Sequence, residues 1–325
     1  MRPIVASLRA PARNLSLWLT KALSPFIGLV SQSHLKHSLD FIDTIKEVNS
    51  NLNNIVSFDV VSLFTKVPLD KVLDFIRAKG EEEIYNFPIP VGKICELVKL
   101  CVSDTYFHFD DKVYKQTFGV AMRSSLSPIL ANIYMEFFET SLLPNINIVG
   151  VKLILWKRYV DDTFALLETN DEESLNRFLE SLNSQEDSIK FTLEKSQNNC
   201  IPFLDVYVVN TNNGLETKVY RKSTYTNSYI HYFSGHSNDI KRGVIVGLFL
   251  RAFRLCSPQF LDLELNYIKN SFSDLAYPPW FINLAVTKAR KIYFSSSISS
   301  DWNSEGFKFI TLGDIRGCTV MATSS

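Results

Sequence analysis

Hydrophobic positions in this chain change period several times, and each change marks an element boundary. Residues 13 to 48 carry helical spacing, with Leu15, Leu17, Leu19 and Leu23 ahead of a break near Pro25. The polar "NSNLNN" that follows reads as a turn. "IVSFDVVSLF", residues 55 to 64, is a short apolar run rich in β-branched residues and predicts a strand. On such a strand Val56, Phe58 and Val60 share one face, and Ser57, Asp59 and Val61 the other. Helical patterns cover 69–79 and 91–103, and "TYFHFDDKVYKQ" alternates like a hairpin. "LSPILANIYMEFFETSLL" predicts a long buried helix. "LILWKRYVDDTFALLE" predicts two strands about a tight bend, and "DEESLNRFLESLNSQ" an amphipathic helix with acids in its first turn. "IKFTLEKS" and "IPFLDVYVV" follow as strands, and beyond Tyr220 the pattern is mostly helical. The order from 55 to 208 is therefore β-α-β-β-α-β, the ferredoxin-like topology, with a helical remainder.

The bend at Asp161-Asp162 is chemically unusual. A tight hairpin normally takes Asn-Gly or Asp-Gly, because the turn needs positive φ. Asp-Asp supplies no glycine and adds like-charge repulsion. In the ferredoxin-like order, the strand carrying Asp59 lies beside this hairpin, so three carboxylates converge at one sheet edge. Hard oxygen ligands with open positions suit Mg²⁺, which keeps waters and takes substrate phosphates. Two such ions about 3.5–4 Å apart serve phosphoryl chemistry. The pair Asp110-Asp111 lacks this setting and reads as an ordinary hairpin turn. Taken singly, an Asp-Asp is usually a solvated turn, and a strand Asp is usually met by a backbone donor. The order of the motifs is what carries the stronger reading.

Composition changes this picture little. The 325 residues are 46% hydrophobic and 21% charged, an ordinary globular balance. Lys plus Arg and Asp plus Glu both number 34, so only local charge clusters could serve a nucleic acid. The region 218–254 is such a cluster, with Lys222, Lys241 and Arg242 among its cations and Tyr220, Tyr225, Tyr229 and Tyr232 between them. Five cysteines without paired spacing predict a reducing, intracellular compartment. The apolar run after Arg242 is too short to span a membrane. His231 and His236 lack cysteine partners and do not read as a zinc site.

"SFDVVSLFTKVPLD", "GVAMRSSLSPILANIYMEFFE" and "RYVDDTFALL" together resemble the successive palm motifs of reverse transcriptases. The wording of "SLFTKVPL", "GVAM" and "IPFLDV" is similar to the Penelope-like retroelement group, and the likeness runs from "RPIVAS" to "YPPWFI". This resemblance implies an α+β right-hand polymerase: partial fingers over 1–54, a palm over 55–215, a helical thumb over 216–295 and an irregular tail over 296–325. It implies an RNA-directed DNA polymerase of nuclear location, using two Mg²⁺ (or Mn²⁺), an RNA template, a DNA primer and dNTPs, with no membrane association. It implies that Asp59, Asp161 and Asp162 are the metal-binding and catalytic acids. Phe64 would be the gate against a 2′-hydroxyl, Arg2 and Gln116 would contact the dNTP, and Gly119, Arg123, Lys222, Lys241 and Arg242 the template and primer.

The chain departs from that family at Arg123, where the motif has a glycine, and at Ser125, where it has a proline. Glycine there permits close substrate approach and a φ that arginine disfavours. Family enzymes also carry more fingers sequence ahead of "RPIV", and often a nuclease domain after the thumb; the chain reads as a fragment lacking both. Two other functions stay open: a non-catalytic nucleic-acid-binding remnant, and a nuclease built on the same acids.

Overall fold

Alternation in the strand over 54–60 gives it one fully buried apolar face, made by Val56, Phe58 and Val60. The computed structural model describes residues 10–48, 54–82, 85–103, 105–169, 171–212 and 214–298, so Arg2 and the tail beyond fall outside the described residues. The chain begins with helices α1 (Arg13–Leu23) and α2 (Ser38–Lys46), then strand β1 (Asn54–Val60). A single-turn α3 (Leu63–Lys66), α4 (Leu69–Glu81) and α5 (Val91–Val102) follow. Next come a hairpin of β2 (Tyr106–Phe109) and β3 (Lys112–Lys115), helix α6 (Ser127–Phe137), and a hairpin of β4 (Val151–Tyr159) and β5 (Asp162–Thr169). Helix α7 (Glu172–Ser184) leads to β6 (Phe191–Lys195), then to β7 (Cys200–Phe203), β8 (Val206–Thr211) and β9 (Gly214–Val219). Helices α8 (Asn238–Leu255), α9 (Pro258–Ser273) and α10 (Pro279–Ile298) end the described chain.

Strands pair antiparallel in the order β4-β5-β1-β6. With α3 to α6 between β1 and β4, and α7 between β5 and β6, this is the expected ferredoxin-like sheet. Val56, Phe58 and Val60 face one apolar cluster, where the Phe58 ring lies 5.4 Å from Trp156 and 6.0 Å from Phe178. Withdrawing one such aromatic from water contributes about 2–3 kcal/mol. A second cluster covers the opposite side: Phe41 of α2 meets Phe164 at 4.9 Å and Phe203 at 4.6 Å. Helix α7 starts on Asp171, whose carboxylate accepts from the Ser174 N–H at 2.6 Å, with Glu172 and Glu173 in the first turn. The outer edge of β4 is covered by residues 33–35: Arg158 N–H donates to Ser33 O at 2.7 Å and Leu35 N–H to Arg158 O at 2.8 Å.

Several expectations are corrected. The first strand stops at Val60, because Ser62 turns into the left-handed region (φ 56°) and starts α3; Phe64 is helical. The predicted strand 201–209 breaks at Leu204 (φ 53°) into β7 and β8, which join β9 in a separate sheet. Most of that third strand, 216–219, falls within the stretch assigned to the helical thumb, although the inward Leu215, Thr217 and Val219 alternate as a strand should. No helix begins between Tyr220 and Ser237. The buried helix ends at Phe137 and passes into a wide π turn over Phe138–Leu142.

The chain divides into two compact units: residues up to 225 together with 254–264, and residues 226–253 together with those from 265 onward. In the second, Tyr229 stacks on Phe272 at 5.1 Å, Tyr277 Oη donates to Ile230 O at 2.9 Å, and α10 buries Phe281, Ile282, Ala285, Val286 and Ala289. Among the described residues no helix is long and apolar enough to cross a membrane.

Candidate active site

Tyr159 and Asp162 are the last paired residues of the β4–β5 hairpin, so the two-residue loop is Val160-Asp161. The tandem acids therefore do not share the bend: Asp161 occupies it and Asp162 opens β5. The positive φ that a tight hairpin requires falls on Val160 (φ 58°), a β-branched residue for which that conformation is a true outlier. Asp161 is tied to the end of β1, since the Val60 N–H donates to its carbonyl at 3.3 Å. Asp59 and Asp162 are direct cross-strand partners.

Asp59 and Asp161 line one cavity of about 210 Å³, walled also by Ser62, Leu63, Phe64, Thr65 and Met122. Asp162 is not among its walls but feels it electrostatically. Asp162 is exposed, yet partial desolvation and then the charges of Asp161 and Asp59 push its carboxyl up to about 6, with Lys222 pulling the other way. Among the described residues no three His, Cys, Asp or Glu side chains enclose a metal site by themselves. Two carboxylates on an open cavity match the needs of Mg²⁺, whose remaining positions go to water and substrate phosphate. The donor set thus fits the ion the sequence calls for, with two acids on the cavity rather than three.

Phe64 is held on this cavity by its own backbone, whose carbonyl accepts from Val120 N–H at 2.7 Å. Gly119 makes that contact possible. At φ 71° an added Cβ would come 2.4 Å from Thr65 C. Its own chain is enough to require a glycine there. Gln116 turns its amide to Phe118 O at 2.8 Å and does not wall the cavity. Arg123 is exposed and sits at φ 72°, the conformation a glycine would take freely, as expected.

Of the basic residues, Lys222 is exposed and close enough to lower the Asp162 carboxyl. Lys241 is a correction: it is only 5% exposed, donates to Ser234 O at 2.8 Å and lies over the Tyr232 ring. Arg242 pairs with Asp239 at 3.3 Å and lies over Phe281. The interleaved tyrosines are also spent on packing: Tyr220 meets Tyr207 at 4.9 Å and Tyr232 meets Tyr277 at 5.3 Å.

A group that sequence reasoning missed lies beneath the hairpin. Asn132, Glu136 and Glu139 come from α6 and its π turn, and Arg158 from β4; all four are buried. Glu136 accepts from the backbone N–H groups of Gly28, Val30 and Ser31, although burial raises its carboxyl. Polar residues at 132, 136 and 139, spaced to one side of an otherwise apolar helix, were the available signal.

A ferredoxin-like sheet with Asp59 near the end of its first strand and Asp161 in the hairpin between its next two strands has the form of the palm in right-hand polymerases. Solved structures agree at the level of fold. The chain is similar to telomerase from Candida albicans in complex with the TWJ fragment of telomeric RNA, with a TM-score of 0.53 and 14% identity over 90% of this chain and 53% of that one. It is similar to apo telomerase from Candida tropicalis, with a TM-score of 0.51 and 13% identity over 90% of this chain and 51% of that one. The chain thus spans about half the length of these telomerases. Residues 228–287 match the model of the animal helix-turn-helix domain. No curated protein matches the chain in sequence.

Proposed function

We propose that this chain is an RNA-directed DNA polymerase of retroelement origin, of the Penelope-like group, acting on an RNA template and a DNA primer. The observation that carries the reading is the shared cavity of Asp59 and Asp161 with Phe64 on its wall. Asp59 and Asp161 would hold Mg²⁺. When bound, that ion lowers the barrier to attack of a primer 3′-hydroxyl on the α-phosphate of a dNTP, with pyrophosphate leaving. The protein's own part is positional. Strand pairing fixes Asp59, the Val60–Asp161 hydrogen bond fixes the hairpin, and Phe64 on the cavity wall would stand against a 2′-hydroxyl. The resemblance to RNA-bound telomerase supports a nucleic-acid substrate of this kind.

Primer extension with dNTPs and Mg²⁺, run beside Asp161→Ala, tests this. Extension by the native chain and a loss of about a hundredfold or more in the variant are expected; equal rates would refute the assignment. A second reading, a nucleic-acid-binding protein without catalysis, is favoured by Arg123 in a glycine-type conformation next to Met122 on the cavity wall. Tight, salt-sensitive binding with no incorporation, even in Arg123→Gly, would select it.

A further inference from the structure

Arg158 is fully withdrawn from solvent, at 0% exposure, and stands two residues before the strained Val160. Each of its three guanidinium nitrogens is engaged. Nε and Nη2 go to the Glu139 carboxylate at 2.5 and 3.4 Å, and Nη1 goes to Asn132 Oδ1 at 2.8 Å and to Val160 O at 3.1 Å. Glu139 in turn accepts from the Ser31 hydroxyl at 2.7 Å. A buried ion pair of this kind is a poor way to gain stability, because apolar replacements of equal volume commonly do as well or better. What an apolar pair could not do is hold the Val160 carbonyl. That carbonyl belongs to the peptide joining Val160 to Asp161, so its direction sets the direction of Asp161. Valine resists positive φ, and a turn without glycine needs an outside hold to keep it.

We propose that Arg158 is the positioning residue of the Asp161 turn, gripping the Val160 carbonyl from the core and joining α6 to the acid that faces the cavity. The role of Asp161 itself rests on the polymerase reading; the grip on the turn does not.

The double variant Arg158→Met/Glu139→Leu removes both charges together, so neither is stranded. Three readouts apply: amide hydrogen exchange, titration of the nucleotide-free protein with Mn²⁺, and steady-state dNTP incorporation. Exchange should quicken about tenfold at residues 160–162 and at Val60, whose N–H rests on the Asp161 carbonyl, with Val56 and Phe58 unchanged. Mn²⁺ should bind about tenfold more weakly. The kcat for incorporation should fall about tenfold with little change in KM for dNTP, which general loosening would not produce. Wild-type exchange at 160–162 and Val60 overturns the proposal. Should the double variant not fold, Arg158→Lys decides by the same exchange measurement. It keeps a charge for Glu139 but lacks the planar fork, so it must quicken the turn in the same way, and native exchange there overturns the proposal. If the native chain incorporates no dNTP, the polymerase reading fails, while the exchange result still judges Arg158.

Discussion

Two residues without glycine's freedom, Val160 and Arg123, both occupy positive φ beside the cavity, and their situations differ. Val160 is held by Arg158 and by the strands on either side, so its strain is kept by the surrounding fold. Arg123 is exposed, and among the described residues no core side chain holds its carbonyl as Arg158 holds that of Val160. An L-residue in this region costs about 1–2 kcal/mol that glycine does not. Arg123→Gly should therefore stabilise the chain by about 1 kcal/mol and raise its melting temperature by about 2–4 °C, less what glycine's freer unfolded chain takes back. Thermal melts of the two proteins check this. A fall in melting temperature would mean that Arg123 makes a contact worth more than its backbone strain.

At the scale of elements, α6 with its π turn acts as a hub. The wide turn over Phe138–Leu142 carries Glu139 to Arg158, one turn beyond the point where Glu136 holds the 28–31 loop. π turns in α-helices commonly mark functional positions, and this one lies under the candidate catalytic hairpin. The same loop brings His34 against β4, where burial first and the Arg158 charge second hold its imidazole down to about 4, partly opposed by Glu139 and Asp40. The sign follows from that depression. Above the ordinary value of 6.5 His34 is neutral folded or unfolded; below it, the unfolded chain takes up a proton that the folded chain refuses. Its contribution is present above 6.5 and is lost as pH falls towards 4. Urea denaturation should show His34→Gln losing less stability over that window, by on the order of 2 kcal/mol. Identical pH dependence in the two proteins would exclude the effect.

Across the whole molecule, equal numbers of acids and bases leave affinity for a polyanion to local placement. Lys222 and Lys241 look alike in sequence and are placed in opposite ways. Lys222 is exposed near Asp162, whereas Lys241 spends its ammonium on Ser234 O inside its own unit. Anisotropy titrations with an RNA–DNA hybrid at several salt concentrations separate them. Lys222→Gln should weaken binding and flatten the salt slope by about one. Lys241→Gln should leave the slope alone and lower stability by about 1 kcal/mol. A reversal of the two effects would contradict the burial of Lys241.

Local periodicity was enough to read the ferredoxin-like sheet. Alternation in "IVSFDV" gave β1 its buried face and Asp59 its exposed one, and the same rule found the β4–β5 strands and α7, because strand and helix patterns are short-range properties of the chain. Tertiary contacts decided the rest. They moved the bend onto Val160-Asp161, put Asp162 on β5, and filled the 220–237 segment with tyrosines that pack on their own unit. They also made Arg158 a core residue, although it is a cation flanked by Lys157 and Tyr159. Whether a charged side chain faces a phosphate, a carboxylate or a carbonyl depends on which distant segment packs against it, and no local pattern of polar and apolar residues encodes that partner.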